Sequence, residues 1–333
     1  MELTIIHLLL VSLFGLALVY GYLQGQSTSA SVVSTMISSR AVEPRLALLM
    51  AAVGIALGPF LVGTAVATTI GAQFVRADRI DVGVVTAGLA GATLWCGVTQ
   101  WLRLPVSSTH ALFGGLIGAA WVGFGYGVVI DRGLIKALLG LLLSPLLGLL
   151  FGYGLVQLSY WLSRSAPPRI NKWFQRGQVP VSLLLAISLG SNEAQKLIGV
   201  LLLGLVASGT LDHFYVPLWV TLFGTLAITI GTVVGGWRLI HTLGGKFYTI
   251  RPIHGFGAQT ASAGVIFGAA LAGWPVSSSQ VVVSSIVGAG SAERLRKVRW
   301  GVVQQVAMGW LLTLPITAVM SGLLYGLMKG LGR

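Results

Sequence analysis

Apolar runs of bilayer length recur from one end of this chain to the other, and they leave it little choice of fold. They lie at 4–23, 45–70, 82–102, 134–162, 197–208, 214–236 and 300–328. About 20 apolar residues in helical form cross the hydrocarbon core. Charged residues make up 9% of the chain and hydrophobic residues 55%. A soluble domain carries about 25% charged residues to face water. The expected fold is therefore an all-α integral membrane bundle, multi-pass, of roughly ten to twelve helices when re-entrant or broken hairpin arms are counted.

The formal charge of +13 does not point to nucleic acid, and no nucleic-acid partner is expected. The basic residues gather in short connectors, among them Arg76 and Arg79, Arg164 through Arg176, and Arg294 through Arg299. That is how the positive-inside rule reads in sequence. The connector 164–177 holds Arg164, Arg169, Lys172 and Arg176, no acidic residue and the pair Pro167–Pro168, and it is expected in the cytoplasm. A bacterial inner membrane is the expected setting, with membrane lipid as surroundings. Cys96, the single cysteine, excludes an internal disulfide. The run 4–20 lacks a small-residue cleavage site and reads as a retained first span.

The chain repeats itself. Residues 104–121 (LPVSSTHALFGGLIGAAW) align with 274–291 (WPVSSSQVVVSSIVGAGS) at an offset of 170. Residues 21–27 (GYLQGQS) align with 190–196 (GSNEAQK) at 169, placing Gly21 on Gly190, Gln24 on Glu193 and Gln26 on Gln195. Two blocks in one order at nearly one offset predict two related halves, 1–163 and 178–333, flanking the connector. Duplicated halves of a membrane protein suggest a transporter whose site lies near mid-membrane at the repeat interface, marked by interrupted apolar segments.

Pro105 and Pro275 supply those interruptions, since proline lacks an N–H and disfavours helix in the residue before it. New helices are expected to start at Ser107–Thr109 and Ser277–Ser279, capped by hydroxyls. A helix N-terminus presents unpaired N–H groups and partial positive charge, both favourable to an oxyanion. Ser107, Ser108, Thr109, Ser277, Ser278 and Ser279 are thus the expected anion binders. Such hydroxyls can also simply bond the backbone one turn back, but recurrence at the repeat offset favours the binding role.

Of eight acidic residues only Glu193 sits between apolar runs, with Lys196 one turn on and Gly190, Ser191 and Asn192 as an expected helix break before it. An ionisable residue at membrane depth is a functional candidate. Asn192 and Glu193 are the expected site of a coupling ion, a sodium or a proton; the alternative is a Glu193–Lys196 pair that neutralises itself. No other metal and no cofactor is expected. Gln195 and Lys196 are second-choice anion contacts. His110, its repeat mate Gln280, and Gln259 stand as further candidates, either lining the cavity or packing.

At these residues the chain resembles the PiT family of inorganic phosphate transporters. The carriers are LPVSSTHALFGGLIGA (104–119), GSNEAQKLIG (190–199), GGWRLIHTLGGKFYTIRPIHGF (235–256), WPVSSSQVVVSSIVGAG (274–290) and VRWGVVQQVAMGWLLTLP (298–315). The resemblance implies an inverted-repeat bundle that symports phosphate with sodium or protons. The family's first motif usually reads like GFNDGANA and its second like GANDAQK, their Asp and Asn residues binding cation and anion. Asn192 and Glu193 inherit those roles. In the first motif Leu23, Gln24 and Ser27 replace Asn, Asp and Asn, so Gln24 and Ser27 are expected to line a degenerate side of the site. One carboxylate fewer weakens a sodium position and makes sulfate more admissible, because a buried carboxylate accepts the acidic proton that phosphate has and sulfate lacks.

Secondary active transport of phosphate is the expected function; a sulfate permease and a passive anion channel are the alternatives. A hydrolase using Ser107 or Ser108 with His110 would want an oriented base and an oxyanion hole, and the second break offers Gln280 instead of a His. No enzyme is expected. A homodimer is compatible with such a bundle.

Overall fold

The structure, a computed structural model, describes residues 2–167 and 169–331; Met1, Pro168 and the last two positions of the expected second half lie outside it. Among the described residues twelve α-helices follow one another. The first six are α1 (Glu2–Ser38), α2 (Pro44–Val62), α3 (Ala65–Gln73), α4 (Val82–Trp101), α5 (Ser108–Phe124) and α6 (Asp131–Leu162). The next six are α7 (Ile170–Ala207), α8 (Leu218–Val234), α9 (Trp237–Gly245), α10 (Pro252–Leu271), α11 (Ser278–Glu293) and α12 (Trp300–Leu331). Lengths run 37, 19, 9, 20, 17 and 32 residues in the first set and 38, 17, 9, 20, 16 and 32 in the second.

Among the described residues five helices are long and apolar enough to cross a membrane, α1, α2, α4, α6 and α12, and α8 and α9, bent by 68° at Gly235–Gly236, pass the same test as a pair. This is a multi-pass membrane protein. Its large apolar side chains divide accordingly. Leu13, Phe113 and Leu201 pack inside, while Leu142, Leu311 and Val11 stand outward on the perimeter, where lipid rather than water is their natural solvent.

The Pro-Val-Ser-Ser segments are the turns of two helical hairpins, α4–α5 and α10–α11. Each turn holds a left-handed residue at the matching place, Arg103 (φ 62°) and Gly273 (φ 65°). Ser107 caps α5, accepting from the His110 N–H at 3.1 Å. Ser277 is the N-cap residue of α11, but its hydroxyl is turned elsewhere.

Two sequence expectations do not hold locally. The run 4–23 continues as helix to Ser38, and the expected break at Gly190–Asn192 is absent, α7 being continuous from Ile170. Gly190 serves close packing: a Cβ there would collide with the backbone of Ile55 on α2. Gly25 meets α8 the same way, through the carbonyl of Ile228.

Packing is crosswise. α1 lies on α8, α2 on α7, α5 on α12 and α6 on α11, each pair joining an early helix to a late one. Each hairpin is thereby clamped by the long helix that ends the other set.

Loop contacts sort the chain into two ends. At one, Gln175 donates to the Ser39 carbonyl, Gln178 to that of Pro252, and Arg251 and Lys297 meet Glu293. This end gathers 39–45, 163–178, 246–251 and 293–299, with twelve basic residues against Glu43 and Glu293. At the other, Tyr325 donates to Asp81 and the segments around Phe74 and Ile130 pair. That end, 74–81, 124–132, 208–217 and 325–331, carries four basic and four acidic residues. Hairpin α4–α5 enters from the balanced end and α10–α11 from the basic end, so their turns meet inside the bundle.

Candidate functional site

The two turns close on the middle of α7. Thr109 at the start of α5 donates to the Val276 carbonyl at 3.2 Å, Ser279 donates to the Val106 carbonyl at 3.0 Å, and Ser277 donates to Ser107 across 2.7 Å. The indole of Trp310 holds the Pro105 carbonyl at 3.0 Å, and Ser144 on α6 accepts the Ser277 N–H at 3.1 Å. Both turns are thus fixed from behind by the clamping helices.

Glu193 is the centre, with only 2% of its surface exposed. Its Oε1 accepts from Lys196 Nζ at 2.5 Å and from Ser278 at 2.6 Å. Its Oε2 accepts from Gln24 Nε2 at 2.6 Å and faces Ser108 at 3.5 Å. A buried charge persists only when it is paired and hydrogen-bonded, and here both conditions are met. Lys196 reaches further, donating to Thr109 Oγ1 at 2.7 Å and the Val276 carbonyl at 3.0 Å, one atom on each turn. Asn192 faces the second turn, with Oδ1 3.4 Å from Ser278 Oγ and Nδ2 3.5 Å from the Trp274 carbonyl.

Of the residues singled out in sequence, Gln24, Ser108, Thr109, Asn192, Glu193, Lys196 and Ser278 converge. Ser107 and Ser277 bond one another, and Ser279 ties the turns together. Three lie apart. Ser27 is turned to Gln100, which donates to it at 2.9 Å and to the Leu23 carbonyl at 2.5 Å. Gln195 caps α3, its Oε1 accepting the N–H groups of Val66 at 2.8 Å and Ala67 at 3.3 Å. Gln259 lies on α10, away from the turns, donating to the Val32 carbonyl. His110 points behind α5, its Nδ1 2.9 Å from the Trp310 carbonyl and its Nε2 3.5 Å from Gln280.

Sequence reasoning passed over Tyr20, whose hydroxyl donates to the Ser108 carbonyl at 3.3 Å, and Gln100. Tyr20 stands one helical turn before Gln24, a spacing that could have pointed to it.

Residues at matching repeat positions touch each other: Gln24 with Glu193 at an offset of 169, Ser107 with Ser277 at 170, and His110 with Gln280 at 170. Such self-paired contacts occur where a two-fold operation maps a site onto itself. With the hairpins entering from opposite ends, that axis runs across the bundle between the two turns.

Chemically the site balances one carboxylate against one ammonium. Around them are the hydroxyls of Ser108, Thr109 and Ser278 and the first N–H groups of α5 and α11, which have no partner within their own helices. This is a donor-rich, closed setting for a tetrahedral oxyanion, with Glu193 able to accept a proton from it. Among the described residues no cluster of three or more His, Cys, Asp or Glu side chains is placed to hold a metal ion.

Comparison with known proteins gives the same direction. A protein-family model described as "Phosphate transporter family" matches residues 24–321. A protein of Rhizobium meliloti, "Probable low-affinity inorganic phosphate transporter", is 35% identical over 98% of this chain and 98% of its own length. A Bacillus subtilis protein of the same description is 34% identical over 93% and 94%. A solved structure described as "The sodium-dependent phosphate transporter" superposes with a TM-score of 0.86, covering 96% of this chain and 99% of that one at 21% identity.

Proposed function

Because the chain belongs to the phosphate transporter family, we propose that its central site carries inorganic phosphate across the bilayer by alternating access, with coupling through Glu193. The observation that supports this is the meeting of both hairpin turns on Asn192, Glu193 and Lys196. Ser108, Thr109 and Ser278 turn from the carboxylate and ammonium to the entering anion, and Glu193 accepts the acidic hydroxyl of phosphate. Sulfate offers no proton, so its oxygens face Glu193 with like charge. The halves 1–163 and 178–333 act as inverted units around the axis, and the basic end faces the cytoplasm of a bacterial inner membrane.

A proton is the better fit as coupling ion. Both Glu193 oxygens face donors, one of them an ammonium at 2.5 Å, whereas a sodium ion needs lone pairs turned towards it. A second reading, sodium coupling, draws on the oxygens of Asn192, Glu193 and Ser278 lying within one cluster. Gln24 in place of a carboxylate lowers the negative charge available to it.

Purified protein in liposomes decides this. Radiolabelled phosphate is offered under a proton gradient, a sodium gradient or neither, with excess sulfate as competitor. Proton-driven accumulation untouched by sulfate is the expected result. Accumulation driven only by sodium would move the coupling assignment, and equilibration without accumulation would make the protein a channel.

A further inference from the structure

From the central site to the basic end runs a seam of buried polar side chains that continues beyond Gln24. Gln24, Thr28, Ser31 and Thr35 on α1 and Ser39 just past its end recur every three or four residues on one face, and all are buried. Across from them stand Gln178 and Ser182 on α7 and Gln259 and Ser262 on α10. Ser31, Thr35, Leu185, Gln259, Ser262 and Ile286 line a crevice that is closed to a water molecule in this conformation.

The seam is only partly satisfied. Thr35 Oγ1, Ser182 Oγ and Gln259 Oε1 are buried without any hydrogen-bond partner. A buried polar group without a partner is destabilising relative to one that is satisfied. A seam that stayed closed would be better served by methyl groups.

The fold does not require polarity here. The repeat-equivalent seam, running from Glu193 to the balanced end, has Leu197 for Thr28, Val200 for Ser31, Leu13 for Ser182 and Leu89 for Gln259, all buried in the apolar core. The same helix positions thus pack dry at one end and are polar at the other, where two hydroxyls and one amide oxygen stay unpaired.

We propose that the seam between α1, α7, α10 and α11 is the hydrated path by which phosphate passes between the central site and the basic end. The proposal rests on the transport reading above. Hydroxyl and amide donors suit a passing oxyanion, and no carboxylate along the stripe repels it and no cation traps it. Gln178 is the inner gate. Its Oε1 accepts from Ser39 at 2.9 Å and its Nε2 donates to the Pro252 carbonyl at 3.2 Å, bridging α1, α7 and α10. Gly255 makes room for it, since a Cβ there would lie 2.6 Å from Gln178 Oε1. Movement of the α10–α11 hairpin away from α1 opens both the gate and the closed crevice, and water or phosphate then satisfies the three orphaned atoms.

The test uses single cysteines in a Cys96→Ser background, Cys96→Ser being first checked for uptake. Thr35→Cys and Ser182→Cys are exposed to a small thiol reagent from the basic end in inside-out vesicles, with Val200→Cys as the dry-seam control. The expected result is modification of the first two, blocked uptake, a several-fold change in modification rate when inorganic phosphate is added, and an unmodified Val200→Cys. Neither Thr35→Cys nor Ser182→Cys being modified, in protein that still transports, would overturn the path. Should the cysteine variants fail to fold, Thr35→Val, which keeps shape and drops the hydroxyl, takes their place. It is expected to slow uptake several-fold with phosphate binding in detergent unchanged; unaltered uptake would overturn the proposal. Modification needs no transported substrate, so absent uptake by the parent protein would strike the transport reading and leave labelling to decide the seam.

Discussion

Gln24 and Glu193 stand at the same position of two repeated helices and are bonded directly to one another, amide to carboxylate, at 2.6 Å. A site that symmetry would furnish with two like side chains therefore holds one carboxylate. Restoring the second sharpens the point. Two carboxylates at this distance cannot both ionise without a cation between them. Gln24→Glu is expected to make uptake sodium-stimulated or to add one proton per phosphate, read as the ratio of cation to phosphate flux. An unchanged ratio would show that this position plays no part in coupling.

Glu193→Gln is expected to abolish gradient-driven accumulation while leaving a folded, monodisperse protein. Exchange of phosphate down its own gradient is the readout that separates lost coupling from lost binding. Normal accumulation would remove Glu193 from the coupling role.

Lys196 neutralises Glu193 and pins one atom of each hairpin turn. Removing one member of a buried ion pair costs about 3–5 kcal/mol, and removing both recovers much of that. Lys196→Met should lower thermal stability in detergent strongly, and the double variant Lys196→Met with Glu193→Gln should regain most of the loss. Additive losses would mean the two residues act independently.

The Ser107 and Ser277 hydroxyls, 2.7 Å apart, join the two turns on the axis. With both as cysteine, in protein lacking Cys96, oxidation should form a disulfide that stops uptake, and reductant should restore it. Full uptake with the bond formed would show that the turns travel together rather than part.

Close packing at Gly190 leaves no room for a side chain. Gly190→Leu is expected to prevent assembly, seen as loss of the monodisperse peak in detergent, since overpacking a filled contact costs about 1–3 kcal/mol or more.

Much of this could be read from the chain alone, for identifiable reasons. Pro105 and Pro275 announce their breaks because proline cannot continue a helix, and the serines after them are where the hairpins turn. Glu193 stands out because a carboxylate among leucines must be paired or put to use. Other features were hidden. Gly190 and Asn192 looked like a helix break, yet glycine at a crossing serves approach as readily as it serves bending, and only the neighbour, Ile55, decides. Gln195 sat in the right motif but caps α3, a helix whose start no local signal places beside it. The hydroxyls of Thr28, Ser31 and Thr35 are spaced for one face, but sequence does not say what that face meets.

The crosswise pairing of helices bears on how the protein is made. Synthesis delivers α1 to α6 to the membrane first, yet α1, α2, α5 and α6 each find their main partner only in α7 to α12. Until the last helix is threaded, the glycine faces of the early ones lie against lipid or against the insertion machinery, and the first hairpin has no clamp. The order of emergence from the ribosome cannot be the order of locking, and a chain stalled after its first six helices would be a clear substrate for quality-control proteolysis.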